Sequence, residues 1–205
     1  LHYHSDSARA ETEKTAAALK EKGADVVTYQ GDLAVVAHTV ALFDQAKAHF
    51  GRVHVAVNTA GVVIKKPIAD VTEADYDKSF DANAKAAFFF MQQAGRTLEE
   101  RGSIVTIVSS LLAAYTPFYA IYPASKAAVE HFTRAASKEF GGRGISVNAI
   151  GPGPMDTPFF YGQESKEAVA YHSSAAALSK YTQSGLTHIE DIAPIVKFLV
   201  TEGWW

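Results

Sequence analysis

The stretch Ser103-Ile104-Val105-Thr106-Ile107-Val108-Ser109-Ser110, followed by Tyr122-Pro123-Ala124-Ser125-Lys126, decides the fold. A run of β-branched residues this dense reads as a strand buried on both faces. Proline is tolerated in the first turn of a helix, where its missing N–H breaks no hydrogen bond. A helix therefore opens near Tyr122 and runs to about residue 140, where Gly141-Gly142 stops it. The apolar run 145–150 is the next strand. Strand, helix and strand in that order form a crossover between parallel neighbours.

The same alternation extends outward. Toward the N-terminus lie a strand over 53–57 and a long helix over 72–102, opened by the capping-box spacing Thr72-Glu73-Ala74-Asp75. That helix carries Phe80, Ala84, Ala87, Phe88 and Met91 at helical spacing. Before these come helices over 7–22 and 35–50, ended by Gly23 and Gly51, around a strand over 24–30. Toward the C-terminus, Thr187-His188-Ile189-Glu190 reads as a second capping box, opening a helix to about residue 201. Between Ile150 and Thr187 lies a long segment with a Phe159-Phe160-Tyr161 cluster, the kind of loop that serves as a lid or binding segment. The class is α/β, a doubly wound parallel sheet covered on both faces.

Composition narrows the function. The 205 residues carry 22 acidic and 19 basic side chains, a formal charge of -3, so no basic face large enough for nucleic acid is expected. There is no cysteine, which excludes disulfides, thiolate metal sites and cysteine nucleophiles. No apolar run reaches the roughly 18 to 20 residues of a membrane span. The histidines are read as non-ligands, with no metal site. Trp204 and Trp205 are read as core or interface aromatics.

Parallel sheets bind ligands beyond the carboxyl ends of their strands. There the sequence places Asp32-Leu33, then Asn58-Thr59-Ala60-Gly61, then Ser109-Ser110, then Gly151-Pro152-Gly153. Each alone is ordinary turn chemistry. Tyr122 and Lys126 stand four residues apart on one helix face. A neighbouring ammonium favours ionisation of a phenol, which suits an acid–base group, and a serine hydroxyl at the preceding strand end can share the tyrosine's substrate oxygen.

Taken together these segments resemble the short-chain dehydrogenase/reductase family. Tyr122-Pro123-Ala124-Ser125-Lys126 is similar to its Tyr-x-x-x-Lys element, and Asn58-Thr59-Ala60-Gly61 to its Asn-Asn-Ala-Gly turn. Asn83 stands where the family carries an asparagine, and Pro152-Gly153-Pro154-Met155-Asp156-Thr157 resembles its Pro-Gly-x-x-x-Thr segment. The resemblance implies a Rossmann-like fold, with residues 1–205 forming part of one nucleotide-binding domain and a substrate loop over 155–186. It implies that Tyr122 exchanges a proton with a substrate carbonyl or secondary alcohol, and that Lys126 holds the nicotinamide ribose and lowers the tyrosine's pKa. A serine holds the substrate oxygen, and Asn83 anchors a relay water. Spacing selects Ser109 for that serine and alignment of the Ser-Ser pair selects Ser110, with Ser110 preferred. Cofactor contacts are expected at Tyr3, His4, Ser5, Asp32, Leu33, Asn58, Ala60, Gly61, Pro152, Gly153, Met155 and Thr157.

The sequence departs from the family in lacking its opening strand with the glycine-rich turn, and its final strand. In the family's strand order the first of these is central, so the chain is expected to be part of a longer protein. No acid stands in Leu1-His2-Tyr3-His4-Ser5, which favours NADP over NAD, with NAD still possible. The substrate expected is a small carbonyl or alcohol, of the kind taken by 3-oxoacyl-carrier-protein reductases or by ketone and polyol dehydrogenases. The resemblance implies a homotetramer or homodimer, and Phe88, Phe89, Phe90 and Phe132, exceeding what one helix stripe buries, independently predict an oligomer; with no cysteine, a cytoplasmic location is expected. The alternative is a non-catalytic nucleotide-binding or regulatory protein on the same fold.

Overall fold

The computed structural model describes residues 1–177 and 179–202; the two terminal tryptophans lie outside the described residues. Three parallel strands form the main sheet in the order β3 (Val55–Asn58), β4 (Ser103–Ile107), β5 (Ser146–Ile150), with β1 (His2–Tyr3) and β2 (Tyr29–Gln30) paired separately. In register, Val55 lies beside Ser103 and Ser103 beside Ser146. Ser103, Ile104, Val105 and Thr106 are all buried, as a strand with both faces covered requires. On β3, Val55 and Val57 stay about 40% exposed while Ala56 and Asn58 are buried.

The helices are α1 (Arg9–Glu21), α2 (Val36–Phe50), α3 (Glu73–Phe80), α4 (Ala86–Thr97), α5 (Ile121–Glu139), α6 (Pro158–Tyr161), α7 (Lys166–Ala175) and α8 (Ile189–Thr201). Ala87, Phe90, Met91 and Ala94 of α4 and Val129 of α5 form the core with Ile104, Ile145 and Val147, and Phe43 of α2 meets Phe90 edge-on at 5.2 Å. Burying each such side chain contributes about 1.5–3 kcal/mol.

Several elements differ from the sequence expectation. The strand expected over 24–30 is reduced to Tyr29–Gln30, since only those residues find a partner, in β1. The capping box at Thr72 forms: Thr72 Oγ1 accepts from Asp75 N, and Asp75 Oδ2 accepts from Thr72 N at 3.0 Å. The helix it opens is not continuous, however. Residues Asp81–Lys85 form a π-turn between α3 and α4, and α4 ends at Thr97. The stop comes from a distant residue, because the Arg143 guanidinium donates to the carbonyls of Gly95 and Leu98, the last acceptors of the helix. Gly95 is required there, since a Cβ at that position would lie 2.2 Å from the Phe140 ring.

The last helix is capped one residue later than Thr187. Thr187 is held extended by hydrogen bonds with Pro154 and Asp156, so His188 becomes the cap and its N–H donates to Asp191 Oδ2 at 2.8 Å. The long loop contains α6 and α7 and is pinned to the sheet end by the bridge between Met155 and Thr187. No helix among the described residues is long and apolar enough to cross a membrane.

Candidate active site

The carboxyl ends of β3, β4 and β5 open on one crevice, the position at which parallel α/β sheets bind ligands. Tyr122 enters it from the first turn of α5 and is buried. Both serines named from the sequence line one cavity with Tyr122. Ser109 is the one close enough to the phenol to lower its pKa. The frame is set by the ladder: Val108 N donates to Ile150 O and Ser110 N to Pro152 O, which fixes the strand end against β5 and its extension. Ser109 Oγ also accepts from Leu111 N at 3.2 Å, turning the chain out of the strand. Ser110 remains on the wall of the same cavity, with its Oγ near Gly153.

Lys126 lies one turn along α5, 4% exposed, and its Nζ donates to Ile107 O at 2.8 Å. Burial lowers its pKa to about 8. Burial also raises the pKa of Tyr122, against a smaller opposing effect of the Ser109 hydrogen bond. The lowering of the phenol's pKa by Lys126 that the resemblance implies does not show in this structure, where burial sets the direction of the shift. A phenol held in its protonated form is a proton donor at neutral pH.

Asn83 sits in the π-turn, almost fully buried. Its Oδ1 accepts from Val62 N at 2.8 Å, and its Nδ2 donates to Val62 O and to Ser125 Oγ, both at 2.9 Å. Ser125 Oγ donates in turn to Tyr122 O at 2.7 Å. The amide of Asn83 thus ties the loop after β3 to the start of α5. Ser125, which the sequence reading passed over, is the intermediate link; its only sequence signal was its place inside the Tyr-x-x-x-Lys element.

Gly61 allows this closeness. A Cβ there would lie 2.8 Å from Asn83 Oδ1 and 3.1 Å from Lys126 Nζ. Asn58 Oδ1 accepts from Ala60 N at 2.9 Å, shaping the turn that presents Gly61. Tyr3 ends β1 and His4 and Ser5 follow it, His4 Nδ1 lying 3.8 Å from Asp32 Oδ1. Asp32 Oδ1 accepts from Ala34 N at 2.9 Å and Leu33 is buried. Asp6, just beyond, is paired with Arg9 at 2.9 Å. Pro152, Gly153, Met155 and Thr157 run along the crevice and form one wall of a cavity of about 440 Å³. Tyr122 and Ser109 close its inner end, and Leu111, Tyr119, Phe159 and Phe160 make most of the remainder apolar. That size and lining suit a small organic ligand. No cluster of three or more acidic or histidine side chains gathers among the described residues.

A dinucleotide fits the residues present. Lys126 Nζ makes one hydrogen bond among the described residues, which leaves a buried ammonium two further donors for ribose hydroxyls. Just beyond the end of β1 the Asp6 carboxylate is paired with Arg9.

Comparison with known proteins agrees with this geometry. Residues 1–204 match the family model described as Enoyl-(Acyl carrier protein) reductase. The chain is 36% identical over 209 residues to the short chain dehydrogenase/reductase nsrJ of Aspergillus novofumigatus, covering 94% of this chain and 76% of that protein. It is 34% identical over 216 residues to a short-chain type dehydrogenase/reductase of Picea abies, covering 100% of this chain and 77% of the relative. Among solved structures, a Burkholderia cenocepacia dehydrogenase structure with bound NADP superposes with a TM-score of 0.97 at 57% identity, over 100% of this chain and 77% of that one. A blue fluorescent protein from a metagenomic library, in complex with NADPH, superposes at 0.85 with 31% identity, over 97% and 78%. On the matched length and the Tyr122, Lys126 and Ser109 constellation, the chain belongs to the short-chain dehydrogenase/reductase family.

Proposed function

We propose that the protein is an NADP(H)-dependent oxidoreductase that interconverts a carbonyl and a secondary alcohol. The observation that carries this reading is that the buried Tyr122 lines one mostly apolar cavity with Ser109 and Ser110, one helical turn from the buried Lys126. Ser109 and Tyr122 converge on the substrate oxygen, and Tyr122 donates its proton to that oxygen in reduction or accepts it in oxidation. Lys126 binds the nicotinamide ribose with the donors not used on Ile107. Asn83 and Ser125 position Tyr122 by fixing its backbone. Gly61 leaves the space in which Lys126 works. The cofactor, when bound, supplies or accepts the hydride.

NADP rather than NAD is supported by the neutral end of β1 at Tyr3, His4 and Ser5, and by the NADP and NADPH held in the similar structures. Asp32, Leu33, Asn58, Ala60, Pro152, Gly153, Met155 and Thr157 line the rest of the cofactor's path in this reading, and residues 155–186 form the substrate loop. The fuller reading is a cytoplasmic homotetramer. It rests on the absence of cysteine and on the aromatic patch where Phe88 of α4, 42% exposed, packs at 5.1 Å against Phe132 of α5.

The test is a fluorescence titration with NADPH and NADH, alongside Tyr122→Phe. Tighter binding of NADPH is expected, unchanged within about twofold in the variant. Turnover of simple ketones should fall at least about 100-fold, the usual range for losing a general acid. Binding of neither nucleotide would favour the regulatory alternative and overturn the reading.

A further inference from the structure

Among the described residues, Glu164 Oε1 is one of two buried side-chain polar atoms without a hydrogen-bond partner, the other being Thr182 Oγ1. The Glu164 side chain is 1% exposed, and its second oxygen, Oε2, receives Lys65 Nζ at 2.5 Å. Glu164 lies between α6 and α7, while Lys65 lies in the loop after β3. The pair ties that loop to the segment between α6 and α7, and Glu164 lines the cavity that Tyr122 also lines. Lys65 also stands over the Tyr119 ring, 5.2 Å from its centroid.

A buried carboxylate oxygen left without a partner is costly, and a folded protein retains one where something else supplies the hydrogen bond. The surroundings define that donor. The cavity wall is otherwise mostly apolar, so the body of the ligand is apolar. Lys65 already balances the charge of Glu164, so a further cation would face an ammonium, whereas a neutral hydroxyl meets a spare lone pair. With Oε2 held by Lys65, Oε1 is the oxygen left to accept from a donor arriving in the cavity.

We propose that Glu164 is a specificity-determining residue, and that the substrate is an apolar carbonyl compound bearing a hydroxyl group remote from the carbonyl, which Glu164 holds while Ser109 and Tyr122 hold the carbonyl oxygen. The inference rests on the carbonyl-reductase reading above and names the substrate class for it.

The test uses three matched ketones with NADPH: benzylacetone, its para-hydroxy derivative, and its para-methoxy derivative, which keeps the oxygen and lacks the donor. In the wild type the hydroxy ketone should exceed both others in kcat/KM by about 10- to 100-fold, the span of a hydrogen bond to a charged group. Lys65→Met breaks the bridge and keeps the carboxylate; it lowers stability, as removing one partner of a buried pair does, and in the folded variant the preference should survive. Lys65→Met/Glu164→Leu should reduce it to within about twofold. Replacing both members of a buried ion pair by apolar side chains of similar size is well tolerated, so this double variant folds and differs from the single variant at Glu164 alone. Calorimetric binding of the same three ligands in the presence of NADP gives a readout independent of turnover. Absence of a hydroxyl preference in both turnover and binding, or its persistence in the double variant, would overturn the proposal. Turnover of none of the ketones together with a Glu164-dependent binding preference would overturn the reductase reading, and with it the carbonyl substrate class, while the hydroxyl-binding role of Glu164 would remain.

Discussion

Lys126 has a consequence for stability that runs against its catalytic value. Its side chain is nearly inaccessible, and its pKa is lowered from 10.5 to about 8 by burial. Below pH 8 the folded protein holds a buried ammonium whose unfolded counterpart is fully hydrated. The depression corresponds to about 3 kcal/mol of lost stability. Between pH 8 and 10.5 the unfolded chain binds the proton and the folded one does not, so stability rises with pH there, and above 10.5 the penalty is gone. Lys126→Met removes the ammonium and keeps a flexible side chain of similar length. It also removes the hydrogen bond to Ile107 O, worth about 1 kcal/mol. The variant should therefore gain about 2 kcal/mol at pH 7, a rise of about 4–8 °C in Tm for a domain of this size, while carbonyl reduction is lost. Thermal melts by circular dichroism without nucleotide, from pH 6 to 10.5, follow the difference. The two curves should converge above pH 8 and cross near pH 10, where the remaining burial penalty equals the lost hydrogen bond. A lower Tm for the variant at pH 7, or a constant offset across the range, would refute the burial argument.

Two further substitutions separate neighbouring roles. Ser109→Ala should lower kcat by about 100-fold, the scale of losing one oriented donor at the reacting oxygen, whereas Ser110→Ala should change it less than about threefold; equal losses in steady-state assays would place both serines on the substrate. Gly61→Ala sets a methyl 2.8 Å from Asn83 Oδ1 and 3.1 Å from Lys126 Nζ, and should weaken NADPH binding at least tenfold in a fluorescence titration while costing about 1–3 kcal/mol of stability through overpacking. Unchanged binding would show that the loop after β3 moves freely and that its tie to Asn83 is not positioning.

The alternation of elements was legible because it rests on local signals: the β-branched run at Ile104, the glycine stops at Gly51 and Gly141, and the Thr72 to Asp75 cap. Tyr122, Lys126 and Asn83 were legible through their motif context. What the sequence left open was decided at a distance. Ser109 and Ser110 are chemically identical neighbours, and only the hydrogen bonds from Val108 to Ile150 and from Ser110 to Pro152 decide which one turns to Tyr122. Nothing near Thr97 marks a helix end, because the stop is delivered by Arg143 from the far side of α5. The direction of the phenol's pKa shift is set by burial, and the depth of burial cannot be read from the spacing of Tyr122 and Lys126. Glu164 and Lys65 are far apart in sequence, and neither has a local pattern that announces the other.

The π-turn at Asp81–Lys85 joins these observations. A residue of α-helix advances about 100° around the axis, so a single wider turn rephases everything after it. Upstream of the turn, Ser79 lies near Ser125, their hydroxyls 3.4 Å apart, and Asn83 reaches both Val62 and Ser125. Downstream, Ala87, Phe90, Met91 and Ala94 face the sheet and α2. One helical segment thus serves a polar contact with α5 at one end and an apolar core at the other, which accounts for a π-turn at a site where such turns recur. The hydrogen bonds from Asn83 to Val62 and Ser125, and from Ser125 to Tyr122 O, then hold the start of α5 independently of Lys126. The lysine is left without a structural duty beyond its bond to Ile107. That division of labour is why its removal can raise stability while abolishing the proposed chemistry.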